Sequence, residues 1–234
     1  MPASNWRQRL VETSTKLLLP EVCASCGISG SWICSECAET VRVADQSQAC
    51  QRCGHPAGRG QVACARCQGW IDPTFQVRSV YEFSGALRDS ILKMKYRGEY
   101  ARAEWHGVTV GRLITGLGWV PDMLVAVPLH PNRLRQRGYN QSQKLAETAG
   151  KAIDVQVVAG LQRSRDTPQQ TTLGVNERRL NVAGAFGPTM SLAGARIVLV
   201  DDVATTCSTL LECAAACRES GAASVRAVTL ATDM

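Results

Sequence analysis

The sequence predicts an α/β fold, a mostly parallel sheet flanked by helices, preceded by a small cysteine-rich module. Three observations carry this. The run Ile197, Val198, Leu199 and Val200 is apolar, mostly β-branched and without alternation, which suits a strand buried on both faces of a parallel sheet. A second such run, MLVAV at residues 123–127, opens directly into a basic segment. Eight of the eleven cysteines form four CxxC pairs in the first third of the chain.

Taken in order, residues 1–20 space Trp6, Leu10, Leu17 and Leu18 as a short amphipathic helix. Residues 21–70 hold the pairs Cys23/Cys26, Cys34/Cys37, Cys50/Cys53 and Cys64/Cys67. A CxxC turn lets two thiolates meet one ion, and two turns complete a tetrahedral Cys₄ zinc site. The unit occurs twice, and the short loops within each repeat favour sequential pairing with one structural zinc ion per repeat. Redox-active dithiols are the lesser reading. So few apolar residues cannot fold on a core of their own, so metal supplies the folding energy. On this view chelation unfolds residues 21–70 and leaves the sheet beyond them intact.

Residues 71–234 make the main domain. Residues 77–83 read as a strand, 86–96 as a helix running into the basic loop 93–100, and 108–117 as a helix. After the strand at 123–127, Arg133, Arg135 and Arg137 read as a basic loop, followed by a helix from Ser142 to Ala152. An arginine cluster at a strand end suits a pyrophosphate, although most such runs are solvated loops. Residues 161–186 are long, polar and aperiodic, as functional or disordered loops are. Of the remaining cysteines, Cys213 and Cys217 read as core residues one helical turn apart, and Cys207 sits where an anion site would stabilise a thiolate.

The stretch IVLVDDVATTCST at 197–209 is the most informative about chemistry. Asp201 and Asp202 stand where the strand should end, a hydroxyl-bearing loop follows, and residues 210–218 read as a helix. A strand, such a loop and a helix N-terminus make a phosphate cradle, and paired carboxylates suit hydroxyl groups or hydrated magnesium. The bland alternative is a turn with a helix cap. The net charge of +6, mostly from arginine, suits phosphate-bearing ligands. No apolar run reaches the length of a membrane span, and the N-terminus lacks the apolar core of a signal peptide, so a cytoplasmic protein is expected.

The 197–209 stretch resembles the binding signature for phosphoribosyl pyrophosphate in type I phosphoribosyltransferases. That resemblance implies a type I phosphoribosyltransferase-like sheet in which Asp201 and Asp202 hold the ribose hydroxyls. Ala204, Thr205, Thr206, Cys207, Ser208 and Thr209 then hold the 5′-phosphate. Cys207 stands where that family usually has glycine. Across nearly the whole chain, CxxC repeats, KxKYRG, PLHPxRxRxRGYNQ, RxRxTPQQ…ERRxN…GAF and VDDVxTT follow in the order found in the ComF family, which this sequence resembles. The likeness implies a double zinc ribbon before a phosphoribosyltransferase domain, and a role in natural transformation and the use of external DNA at the inner face of the membrane. It also implies Mg²⁺ with the donor, His130, Arg133 and Arg137 on the pyrophosphate, and a mobile loop carrying Arg163, Arg165, Arg178, Arg179 and Asn181. Catalysis would be pentosyl transfer at Asp201 and Asp202 to an acceptor the likeness does not name. The competing reading is a non-catalytic component that binds single-stranded DNA, or a competence helicase or other DNA-processing protein, and keeps a vestigial or regulatory nucleotide site.

Overall fold

The computed structural model describes residues 20–166 and 182–233. The expected N-terminal helix therefore lies outside the described residues. The sheet is built from β1 (Gln76–Glu82), β2 (Met123–Ala126), β3 (Val157–Val158), β6 (Arg196–Ala204) and β7 (Ser224–Thr232), in the order β1-β7-β6-β2-β3. Every pairing within it is parallel. Two short strands, β4 (Leu161–Arg163) and β5 (Phe186–Pro188), form a separate antiparallel pair that closes the ends of the 161–186 segment.

Both faces of the sheet are covered, so its central strands carry no polar alternation. Ile197, Val198, Leu199 and Val200 are at most 1% exposed. Val198 and Val200 face helices α2 (Gly85–Tyr96), α3 (Ala101–Gly116) and α5 (Gln141–Ile153), packing with Leu87, Ile91, Val110 and Leu145. Ile197 and Leu199 join the opposite cluster, where α6 (Ser208–Glu219) contributes Leu210, Cys213 and Cys217. Each fully buried leucine or isoleucine of these clusters stabilises the fold by about 1.5–3 kcal/mol. Helices α3 and α5 approach closely because Gly107 has no side chain: a Cβ there would stand 2.6 Å from Thr148 Cβ.

The cysteines assemble as the repeats suggest. Cys23, Cys26, Cys34 and Cys37 form one group and Cys50, Cys53, Cys64 and Cys67 another, and within each group all sulfur atoms lie within 4.8 Å of one another. Sulfur pairs such as Cys26–Cys34 at 3.6 Å and Cys53–Cys64 at 3.5 Å fit a tetrahedron, whose edge is about 3.8 Å for zinc–sulfur bonds near 2.3 Å. These are two structural zinc sites of a double ribbon. The short helix α1 (Ser35–Ala38) carries Cys37.

The ribbons are not a detached module, which bears on the expectation that they unfold alone. They cover the free edge of β1. Val77 N donates to Arg52 O at 2.7 Å, Glu82 N to Arg42 O at 2.9 Å, and Ala44 N to Val80 O at 2.9 Å. Arg102, on α3, is fully buried against the first ribbon and donates to the carbonyls of Trp32 and Val22 at 2.9 and 2.6 Å. An uncovered β edge invites pairing with other chains, and the ribbons remove that hazard.

Two further differences from the sequence reading matter for the site. The arginine segment is a helix, α4 (Pro131–Arg137), not a loop. Lys93 to Tyr96 belong to the last turn of α2, so the basic loop begins only at Arg97.

Candidate functional site

Strand β6 does not end before the carboxylates. It pairs with β7 as far as Ala204, so Asp201 and Asp202 are strand residues near its carboxyl end. Asp201 Oδ1 accepts from Ser142 Oγ at 2.7 Å and from Asp202 N at 2.9 Å. Burial, reinforced by the Asp202 charge, raises Asp201 from 3.8 to about 7. Asp202 is 4% exposed, and its Oδ1 meets Lys95 Nζ at 2.9 Å. Its other oxygen, Oδ2, is buried with no hydrogen-bond partner among the described residues. A buried carboxylate oxygen left bare is costly, and a hydroxyl or a cation would relieve it.

Next to this pair, residues 201 and 203–210 line a recess of about 60 Å³. Thr206 Oγ1 and Ser208 Oγ lie 2.9 Å apart at its rim, where α6 begins. Unpaired N–H groups of the first helical turn and the positive end of the helix dipole favour an anion there.

Cys207 caps α6 with φ +60° and ψ +6°, the left-handed conformation that glycine adopts without penalty. The residue joins the core cluster with Leu210 and Cys213 and is 4% exposed, so its thiol is buried. Burial pushes it up to about 12. Burial thus counts against the expected stabilised thiolate, while Cys207 remains among the residues that line the recess. Cys207→Gly relieves about 1–2 kcal/mol of strain but forfeits a buried side chain of similar worth. Its melting temperature is expected to stay near the wild-type value. Cys207→Ser keeps the strain and sets a hydroxyl among apolar neighbours, so it should melt lower than Cys207→Gly. The reverse order in calorimetry would mean that the thiol is not a packing group.

The PLHPNRLRQRGYNQ segment is explained by caps. His130 Nδ1 accepts from Asn132 N at 3.2 Å and starts α4, Pro131 occupies its first turn, and Gly138, at φ +82°, ends it. Asn140 then caps α5, accepting from Ser142 N at 3.0 Å, and donates to Val127 O. Arg133 and His130 turn toward Asp166, at 3.8 and 3.4 Å, and Asn132 donates to the same carboxylate at 2.7 Å. That hydrogen bond, with the nearby cations, holds Asp166 below the usual carboxylate range. Arg137 donates to Gln141 Oε1 at 2.6 Å and lies over the Tyr96 ring.

The structure thus brings together Asp201, Asp202 and the loop 204–209. Lys95, Ser142 and Asp166 join the candidate site without having been singled out from sequence. Arg163 and Arg165 do not reach over the recess. Arg163 is buried on the Phe186 ring and Arg165 donates to Ala183 O, so both tie down the base of the 161–186 segment. Arg178, Arg179 and Asn181 lie outside the described residues.

Comparisons with known proteins agree with this architecture. The double zinc ribbon family model matches residues 14–68, and the phosphoribosyl transferase domain model matches residues 136–234. The DNA utilization protein YhgH of Salmonella typhi is 35% identical over 224 residues, covering 90% of this chain and 96% of that protein. Competence protein F of Haemophilus influenzae is 26% identical over 83% of this chain and 87% of its own. Competence protein ComFC of Bacillus subtilis is 30% identical over 77% of this chain and 76% of its own. With its two Cys₄ zinc sites and parallel phosphoribosyltransferase-type sheet, this chain belongs to the family of YhgH, competence protein F and ComFC.

Proposed function

We propose that this chain binds phosphoribosyl pyrophosphate and transfers its ribose 5-phosphate group in the use of DNA taken up from outside. The observation that carries the reading is the recess at the N-terminus of α6, lined by Asp201 and residues 203–210, together with the bare, buried oxygen of the adjoining Asp202. A phosphate in the recess is held by backbone N–H groups, and the attached ribose offers its hydroxyls to Asp201 and Asp202. The pyrophosphate lies toward His130, Arg133 and Arg137 on the neighbouring strand end, where α4 supplies cations. Magnesium carried in with the donor would supply charge neutralisation on the leaving pyrophosphate. Departure of pyrophosphate leaves an oxocarbenium-like ribose, whose charge the nearby carboxylates stabilise. The role in DNA use follows the names of the relatives.

Calorimetric titration with phosphoribosyl pyrophosphate and magnesium, beside single-stranded DNA, tests this reading. Saturable donor binding supports it. Binding of DNA alone would favour the second reading, a DNA- or helicase-binding component. That reading draws on the absence, among the described residues of the site, of an evident general base for an acceptor.

Asp166 gives a further expectation. Its carboxylate sits among Asn132, His130 and Arg133, where the pyrophosphate would lie. Asp166→Asn removes a competing anion, so inorganic pyrophosphate should bind about two- to fivefold more tightly, the modest scale of an exposed pair. Weaker binding in the variant would mean that Asp166 orients the cations instead.

A further inference from the structure

Lysine 95 stands at the end of a mechanical chain that begins at the first zinc site. The first ribbon grips helix α2 at its start and along its length. Thr40 Oγ1 donates to Cys37 O at 2.7 Å and accepts from Ala86 N at 3.0 Å, so the ligand turn caps the helix. Gly85 permits this approach: a Cβ there would stand 2.4 Å from Thr40 O. Ser25, between Cys23 and Cys26, donates to Asp89 Oδ2 at 2.8 Å. Arg102 pins the same ribbon to α3 and pairs with Glu99, in the turn that joins α2 to α3. At the far end of α2, Met94 O accepts from Tyr139 Oη beside the arginine helix, and Lys95 reaches Asp202. The twelve residues of α2 span about 18 Å.

We propose that Lys95 is a positioning residue for the ribose site. Its ammonium group holds Asp202 Oδ1 and leaves Oδ2 for a ribose hydroxyl, and the first zinc ribbon, through α2, sets where that ammonium group stands. The proposal rests on the sugar-phosphate reading above. A purely structural ion pair would satisfy both carboxylate oxygens. Here one is satisfied and the other left bare in a nearly closed environment, which suits an acceptor kept for a ligand. The lysine fixes the rotation of the carboxylate and compensates its charge, so the free oxygen is preorganised.

Calorimetry with phosphoribosyl pyrophosphate and magnesium tests both halves. Lys95→Met should weaken donor binding by about tenfold or more, and Lys95→Arg should restore most of it. Cys26→Ser, at the exposed corner of the first site, should lower the zinc content from two ions to one. It should also weaken donor binding by a similar factor and speed amide exchange in the last turn of α2. The double variant should bind little worse than Lys95→Met alone, because the two act through one contact. Wild-type affinity in Lys95→Met overturns the positioning role. Wild-type affinity in a folded, one-zinc Cys26→Ser protein overturns the brace. A wild type that binds neither phosphoribosyl pyrophosphate nor ribose 5-phosphate would instead remove the sugar-phosphate reading, and this proposal with it.

Discussion

A protein carrying both Asp201→Asn and Asp202→Asn is expected to bind phosphoribosyl pyrophosphate about a hundredfold more weakly than wild type, or worse, in calorimetric titration. Asparagine keeps the size of each side chain but offers a neutral acceptor, and it leaves the Lys95 ammonium without its counter-ion. The pH dependence separates a ligand site from a structural cap. Asp201 is raised from 3.8 to about 7 by burial and by Asp202, with Lys95 opposing. A raised carboxyl contributes stability that is fully present below its unfolded value and is lost as pH rises through the folded one. Wild type should therefore lose stability relative to Asp201→Asn between about pH 4 and pH 7. Donor binding should strengthen as pH rises through about 7, where the folded carboxylate forms. Unchanged donor binding with a lowered melting temperature in the double variant would show the pair to be structural.

Removal of zinc is the second large effect. Two zinc ions per chain are expected by metal analysis. A structural zinc site contributes about 10–16 kcal/mol in ribbon-sized peptides, against about 5–15 kcal/mol for the net stability of a whole domain. Chelation should therefore do more than melt residues 21–70. It uncovers the β1 backbone that bonds to Arg42, Ala44 and Arg52, and strips Arg102 of its two carbonyl partners. A guanidinium that loses two buried acceptors and keeps only Glu99 is destabilising. Hydrogen exchange should accelerate in β1 and α3 as well as in the ribbons. Protection of β1 unchanged in metal-free protein would contradict this coupling.

The parts legible in the sequence were those with a local cause. The IVLV run could only suit a doubly covered strand, and the CxxC spacing dictates its own geometry. What escaped depends on partners distant in the chain. Strand β6 continues past Val200 because β7 offers Thr229 opposite Asp201 and Ala231 opposite Val203. No apolar pattern announces α4, which buries no residue. Its signals are Pro131 at the start and Gly138 at the end, with three arginines between them that read equally as a solvated loop. Lys95 follows Met94, the last buried residue of α2, so its place at the carboxylates comes from helix packing. The left-handed backbone of Cys207 is not something a residue type alone declares.

The strand order has a consequence for how the chain folds. Strand β1 finds its sheet partner only in β7, which follows it by roughly 140 residues. Long-range parallel pairing of this kind forms slowly, since so long a loop must close first. Without the ribbons, β1 would wait during synthesis with both edges unpaired, an aggregation-prone condition. The zinc knuckles need only neighbouring cysteines, all of which precede β1 in the chain. They can shield one edge from the outset and hold β1 extended until β7 arrives. Zinc supply during translation should then set the yield of folded protein more than zinc supply afterwards, because a mature sheet already has β7 in place.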